Sequence, residues 1–553
     1  MPKSTQRIYF STYLFIFLGL IGVTACNKQL EKQPESQLSD PTFWKNANDL
    51  KLAVNAIYSS LPSTEENAYD NRTDNTYGRA RNDISDGSRV VTPSNADWTK
   101  FFAAIRMANN VMAKALEIKD DTAAVNKYVA EAYFFRGYFY FELTKRFGDI
   151  PLILRLFDET DTLVTAHRTN RKIVLDSAIK DLEYAQNILP KAGNQAVEEY
   201  GRITSGAATA IIARIGLFEG TWSKYHQNDE AAKSKYLDTA IAASQRLMNE
   251  KYYSLFQYSP KPDSSYFYLF QYAGEGPTNR ENILVRLFGE NISNSIASHT
   301  YTQLLDLGQA CPTRSLVDAY LYKDGLPIDK SPLFKTQDSV QSEFIDRDPR
   351  LGMTVFNKNL WYVSSFYQPT FQNTLTGYKT AKYFISRDYN TNVSFVDDIV
   401  IRYGEILLTY AEALYEKNGN ISDNDLNISI NLLRDRAGMP HLTNAFVSSN
   451  GLSMQEEIRR ERRVELAIES YSRYWDLIRW KIAETILPKA ILGSKIFVGQ
   501  QTFIPNNPPV TTDGYLIVQP SAQRVFNPQR DYLTALPTND IGADPNLDQN
   551  PGW

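Results

Sequence analysis

Apolar residues recur at helical period in several separate stretches of the chain. In FFAAIRMANNVMAKAL, residues 101–116, positions 101, 105, 108, 111, 112 and 115 are apolar, and in IRYGEILLTYAEALYE, residues 401–416, positions 403, 406, 407, 410, 411 and 414 repeat the pattern. Spacing of i, i+3, i+4 gathers such residues on one buried stripe of an α-helix. The same reading predicts helices over about 48–61, 124–147, 172–189, 204–222, 235–250, 425–437 and 455–484. The starts near 172, 204 and 235 fall about 32 residues apart, close to the ~34-residue period of tetratricopeptide repeats, although the full consensus is missing. The expected fold is mostly α, a tetratricopeptide-like scaffold of helix pairs in which each unit buries the next.

Two regions break that period. Residues 62–96 and 251–397 are rich in Gly, Pro, Asn, Asp and Ser with aromatics between them, and the last 35 residues carry Pro520, Pro528, Pro537, Pro545 and Pro551. Irregular segments this long inside a folded protein are usually functional, so 251–397 is expected to form a loop-rich, ligand-binding lobe.

The N-terminus reads as a targeting segment. Lys3 and Arg7 precede an uncharged run from Ile8 to Val23, which fits a secretory signal peptide and is too short for a membrane span. The run ends in Val23-Thr24-Ala25-Cys26, a quartet that resembles the bacterial lipobox. Residues 1–25 are therefore expected to be removed, and Cys26 to carry the acyl chains that anchor the protein to a membrane through the polar tether 26–40. Because one chain anchors only marginally, several are needed.

Charge narrows the partners. Without Lys3 and Arg7 the formal balance falls from −4 to −6, which argues against nucleic acid as a ligand. With Cys26 acylated, Cys311 has no disulfide partner, so an apolar core must hold the fold. The 34 tyrosines, 28 phenylalanines and 7 tryptophans suit stacking on flat ligands, although packing is the commoner use of any one ring.

Catalytic and metal signatures are sparse. His167, His226, His299 and His441 are far apart and no Cys/His cluster suggests zinc, while GEGPTNR at 274 lacks the glycines and context of a dinucleotide loop. Asp324, Asp329 and Asp346 are candidates for a structural calcium, but no cofactor is expected. The segment EEIRRERRVELAIESYSRYWDLIRWK reads as one long helix laced by i, i+3 and i, i+4 ion pairs, Arg462 to Glu465 and Glu469 to Arg473.

Several blocks, in order, resemble the SusD/RagB family of surface lipoproteins that partner TonB-dependent transporters. They are FWKNANDLKLAVNAIYSSL; DWTKFFAAIRMANNVMAKA, with its W-x-x-x-aromatic-x-x-I-x-x-x-N pattern; AEAYFFRGYFYFELTKRFGDIPL; RITSGAATAIIARIGLFEGTWSKYH; DRDPRL at 346; IRYGEILLTYAEALYEKNG; INLLRDRAGMP; IRRERRVELAIESYSRYWDLIRWK; and DPNLDQNPGW. The tether lacks the acidic run often seen in surface-displayed members. The resemblance implies an N-terminal SusD-like helical region over 41–250 and a C-terminal SusD/RagB region over 251–553. It also implies a non-catalytic outer-membrane receptor, lipid-anchored and surface-exposed, that binds an oligosaccharide and delivers it to a SusC-like TonB-dependent transporter.

Sugar sites pair aromatic platforms with planar polar groups at their rim. The loop before the W-x-x-x-aromatic helix offers Tyr69, Tyr77, Arg79, Arg81 and Asp83, followed by Trp98. The family layout adds Tyr301 and the segment NLWYVSSFYQPTF, meaning Trp361, Tyr362 and Tyr367. Three rivals remain open: a peptide cargo, a surface glycoside hydrolase whose carboxylates come together only on folding, and a scaffold without a ligand.

Overall fold

Side-chain caps open the N-terminal helices. The α1 helix (Ala47–Tyr58) starts at Asn46, whose side chain accepts from the Asn48 N–H while Asp49 reaches back to the Asn46 N–H. Asn95, Asp121, Asn170, Thr204 and Asp229 cap α2 (Ala96–Ala115), α3 (Thr122–Phe147), α4 (Arg171–Ile188), α5 (Ser205–Trp222) and α6 (Glu230–Asn249). Each cap oxygen satisfies an N–H that has no partner within its helix. In the C-terminal half come α7 (Tyr403–Asn418), α8 (Ile430–Ala437), α9 (Met454–Glu465) and α10 (Ser472–Arg479). This computed structural model describes residues 43–62, 70–289, 298–469 and 472–553; residues 1–25, Cys26, the tether and Tyr69 lie outside them.

From α2 to α7 each helix packs on the next, α7 doing so across the whole irregular region, which gives the tetratricopeptide-like scaffold. The α2 helix keeps a single buried stripe through Trp98, Phe101, Ile105, Ala108 and Val111. By contrast α7 is buried nearly all round: Glu405 and Glu412 face inward as well and bind Arg214 and Arg479. One stripe was expected there; ion pairing instead lets the polar face be buried too. Where α5 crosses α6 the backbones nearly touch, and a Cβ on Gly216 would stand 2.6 Å from both the Tyr236 carbonyl oxygen and the Ala240 nitrogen.

Strands are short and occur as two-stranded antiparallel pairs among the described residues. They are β1 (Thr76–Tyr77) with β5 (Cys311–Pro312), β2 (Ile150–Pro151) with β3 (Arg168–Thr169), β4 (Asn282–Arg286) with β8 (Asp398–Arg402), β6 (Trp361–Tyr362) with β7 (Ser365–Phe366), and β9 (Ile491–Lys495) with β10 (Tyr515–Gln519). The β4–β8 pair closes the neck of the irregular lobe, and β8 runs directly into α7. One apolar core runs through the helices; a second, built on Tyr266, Phe270, Tyr301, Phe356, Tyr383 and Phe384, fills the lobe.

The expected helix over 455–484 is broken. It turns at 466–469, where Ile468 adopts a left-handed backbone (φ 61°) while its side chain is buried against Leu316, Tyr320 and Leu351. A β-branched residue avoids that conformation unless surrounding packing imposes it. The pairs expected along the helix are absent. Arg462 bonds Asp476 (2.9 Å), Arg473 bonds Asp74 (3.0 Å), and Glu465 and Glu469 turn into the interior.

There they join a buried ionic cage. Arg402 reaches Glu281 (2.8 Å), Glu465 (2.7 Å) and Glu469 (2.8 Å); Arg350 reaches Asp348, Glu461 and Glu465; Arg436 joins Glu281 and Glu465; Arg434 joins Glu461; and Lys382 joins Glu469. Five cations face five carboxylates, so each buried charge finds compensation. The three guanidiniums around Glu465 hold its carboxyl far below the usual range against the opposing effect of burial, whereas burial pushes the Lys382 ammonium down to about 8. Apart from Glu281 and Lys382 these residues come from DRDPRL, IRYGE, LLRDRAG and ERRVELAIE, so the blocks that carry the family resemblance also help lock the lobe to the helices.

Candidate functional site

The β6–β7 hairpin turns through Val363 and Ser364, with Trp361 opposite Phe366 and Tyr362 opposite Ser365. Side chains alternate across a strand, so the two pairs face opposite ways. Trp361 (54% exposed) and Phe366 (55%) stand in solvent, their rings edge to face at 5.6 Å, and the Trp361 indole N–H donates to the Val363 carbonyl at 3.1 Å.

Beneath them Tyr362 packs on Phe384 (5.2 Å), Phe356 (5.4 Å) and Tyr367 (5.7 Å). Its hydroxyl donates to Asp306, which also receives the Lys379 ammonium and, at 3.2 Å, the Tyr389 hydroxyl. Burial and then the Asp306 charge push the Tyr362 phenol well above its ordinary value, so it stays a donor. Tyr301 and Tyr367 are buried in this same core; Tyr301 packs edge-on to Tyr383 and Tyr367 stacks on Phe356. Both were expected at the ligand surface, and in the fold they serve as supports beneath the hairpin.

The N-terminal set divides. Tyr77 is buried on β1 beside Cys311. The Arg81 guanidinium, half exposed, binds Asp86 (2.7 Å) and the Gln523 carbonyl (3.2 Å), and Arg79 and Asp83 are exposed. The β1–β5 pair and the hydrogen bond from Asn71 to the Gln309 carbonyl (2.6 Å) bring this loop against residues 309–313. Asp306, under the hairpin, lies three residues before that segment. Trp98 does not join them. It is buried between Phe102 and Phe147, and its indole donates to Asp540 (3.2 Å), which ties α2 to the C-terminal segment.

Phe366, Asp306 and Lys379 escaped the sequence reading. Phe366 carried a signal: in WYVSSF the rings flank a two-residue turn, and such a hairpin sets 361 and 366 on one face. Asp306 and Lys379 carried none, since they meet only on folding. Among the described residues no three His, Cys, Asp or Glu side chains converge to hold a metal, and Asp324 is engaged with Ser331 (2.6 Å).

Two family models match the chain: the SusD family over residues 289–553, and "Starch-binding associating with outer membrane" over 28–217. The SusD-like protein P2 of Formosa agariphila is 26% identical, covering 99% of this chain and all of its own length. A SusD-like carbohydrate-binding protein of Bacteroides fragilis superposes with a TM-score of 0.75 at 23% identity, over 92% of this chain and all of that one. A laminarin-binding SusD-like protein superposes at 0.63 with 17% identity, over 92% and 100%. Matches along both halves, and a shared helical fold with a loop-rich lobe, agree with the order of the sequence blocks: the chain belongs to the SusD/RagB family.

Proposed function

We propose that this protein is a lipid-anchored outer-membrane receptor that captures an oligosaccharide at the Trp361–Phe366 hairpin and hands it to a SusC-like TonB-dependent transporter. The observation that carries the reading is the exposed ring pair held on a rigid, hydrogen-bonded base. Two large rings left in water cost free energy that stacking on the CH faces of a sugar recovers. Asp306 and Lys379 fix the base without offering a nucleophile to solvent. Glycan as cargo is supported by the starch-binding description of the N-terminal family model and by the laminarin-binding relative; the outer membrane is supported by the same description and by the Val23–Cys26 quartet. The protein acts by binding and presentation, with no covalent step.

Titration of the full chain, in a detergent without a sugar headgroup, against neutral oligosaccharides tests this. Saturable binding is expected, weakened about tenfold or more in Trp361→Ala and Phe366→Ala at unchanged melting temperature. Silence across polysaccharides, oligosaccharides and peptides, or turnover of a bound glycan, overturns it. Labelled palmitate on the native chain, absent from Cys26→Ala, tests the anchor separately.

A further inference from the structure

A cavity of about 480 Å³ opens between α9, β9 and the short helix Arg314–Ala319. Its volume lies within the ~300–1,000 Å³ range of small-molecule sites. One wall is aliphatic, built by Ile482, Ile486, Ile491 and Leu492. The other is cationic, built by Arg314, Arg459, Arg460, Arg463, Arg473 and Lys489, with Asp74, Asp318 and Glu456 among them.

Behind this wall Arg314 also pairs with Glu343 and Arg459 with Glu416 (3.2 Å), which leaves Arg460, Arg463, Arg473 and Lys489 as the cations turned to the cavity. Arg463 and Arg473 share Asp74, at 2.9 and 3.0 Å, while nearby Asp70 spends its hydrogen bonds on Thr73 and Asn75. Arg460 has only a 3.3 Å contact to Glu457, and Lys489, exposed at the rim, has no ion pair among the described residues. Burial, with the neighbouring Arg473 and Arg460 charges, pushes the Arg463 guanidinium down to about 10 in spite of Asp74. An oxyanion entering here gains charge-assisted hydrogen bonds and relieves like-charge repulsion among groups already in place.

We propose that this cavity is a second binding site, for a saccharide residue bearing an oxyanion. The carboxylate or sulfate ester seats among Arg460, Arg463 and Lys489, and the ring's CH face lies on the isoleucine wall. The proposal rests on the reading of the chain as a glycan receptor but uses residues apart from the hairpin. A receptor with both sites holds a charged glycan at two points, which multiplies affinity through effective concentration.

The test is calorimetric titration of the full chain with three oligosaccharides of equal length: neutral, uronate-bearing and sulfate-bearing. The two charged arms decide which oxyanion is preferred. Binding of at least one charged oligosaccharide should be about tenfold or more tighter than the neutral one in low salt, and the advantage should shrink in high salt. Lys489→Glu and Arg460→Gln should each remove most of that advantage while leaving neutral binding and the melting temperature unchanged. Equal affinity for charged and neutral ligands, or a charged-ligand advantage that survives both substitutions, overturns the site. Loss of the neutral arm alone overturns the hairpin reading and leaves this site standing, so the two failures are separable.

Discussion

Glu465 accepts from Arg402 Nη1 at 2.7 Å in an interior where both side chains are 1% exposed or less. Arg350 and Arg436 bind the same carboxylate, so Glu465 joins the lobe, through Arg350, to β8, through Arg402, and to α8, through Arg436. Removing one partner of a buried pair leaves charge without compensation, at a cost of about 3–5 kcal/mol. Glu465→Gln is therefore expected to lower the urea midpoint by that equivalent at unchanged m-value. Glu456→Gln on the same helix, whose carboxylate is 63% exposed, should shift it by less than about 0.5 kcal/mol.

Close approach of α5 to α6 depends on Gly216. A methyl there would press on backbone atoms of Tyr236 and Ala240 that cannot rotate away, so Gly216→Ala is expected to cost about 1–3 kcal/mol despite its better helix propensity. Gly542, which has open space where a Cβ would go, is the control. Gly542→Ala should leave the thermal midpoint within error of the native chain.

Most of the helical scaffold could be read from the chain because periodicity and caps are local: Asn95, Asn170 and Thr204 open helices that the apolar stripes had already marked. The break at Ile468 could not be. It arises because Glu465 and Glu469 are drawn to Arg402 and Lys382, residues more than 60 positions away, and tertiary pairing outweighs an i, i+4 pattern worth only a few tenths of a kcal/mol. In the candidate site Trp361 and Tyr362 were legible because aromatic residues in a Gly/Asn/Ser-rich segment stand out. Whether each faces water or core depends on hairpin register, and that places Phe366 outside and Tyr367 inside. Trp98, a residue of the recognisable W-x-x-x-aromatic pattern, anchors its helix instead.

Asp306 positions the hairpin rather than touching its ligand. In Asp306→Asn the buried Lys379 ammonium loses its counter-charge and the Tyr362 hydroxyl a charged acceptor. Oligosaccharide affinity is expected to fall about tenfold while far-UV circular dichroism keeps its helical signal, since the hairpin contributes only four strand residues. Pairing Asp306→Asn with Lys379→Met removes the uncompensated cation. The double variant should therefore be more stable than Asp306→Asn alone, a non-additivity that a double-mutant cycle reads directly.

Two acids at the neck of the lobe make stability depend on pH. Asp397 Oδ1 accepts from the Phe288 N–H at 2.9 Å, and Glu275 Oε1 accepts from the Asp397 N–H at 2.7 Å. Burial raises Asp397 to about 7; burial and the Asp397 charge raise Glu275 to about 8. Both folded values lie above those of the unfolded chain, so the native state binds more protons than the unfolded one from about pH 4 to pH 8. Stability therefore falls as pH rises through that window and levels off above it. The contribution of these acids is largest below about pH 4 and is lost once both ionise, the reverse of a salt-bridged carboxylate. In Asp397→Asn the side-chain oxygen can still accept from Phe288 without ionising. Thermal melts should place this variant level with the native chain near pH 4 and increasingly more stable above it, by on the order of 3–4 kcal/mol at pH 8. Parallel profiles for the two proteins across that range would show that the neck acids do not titrate as their burial requires.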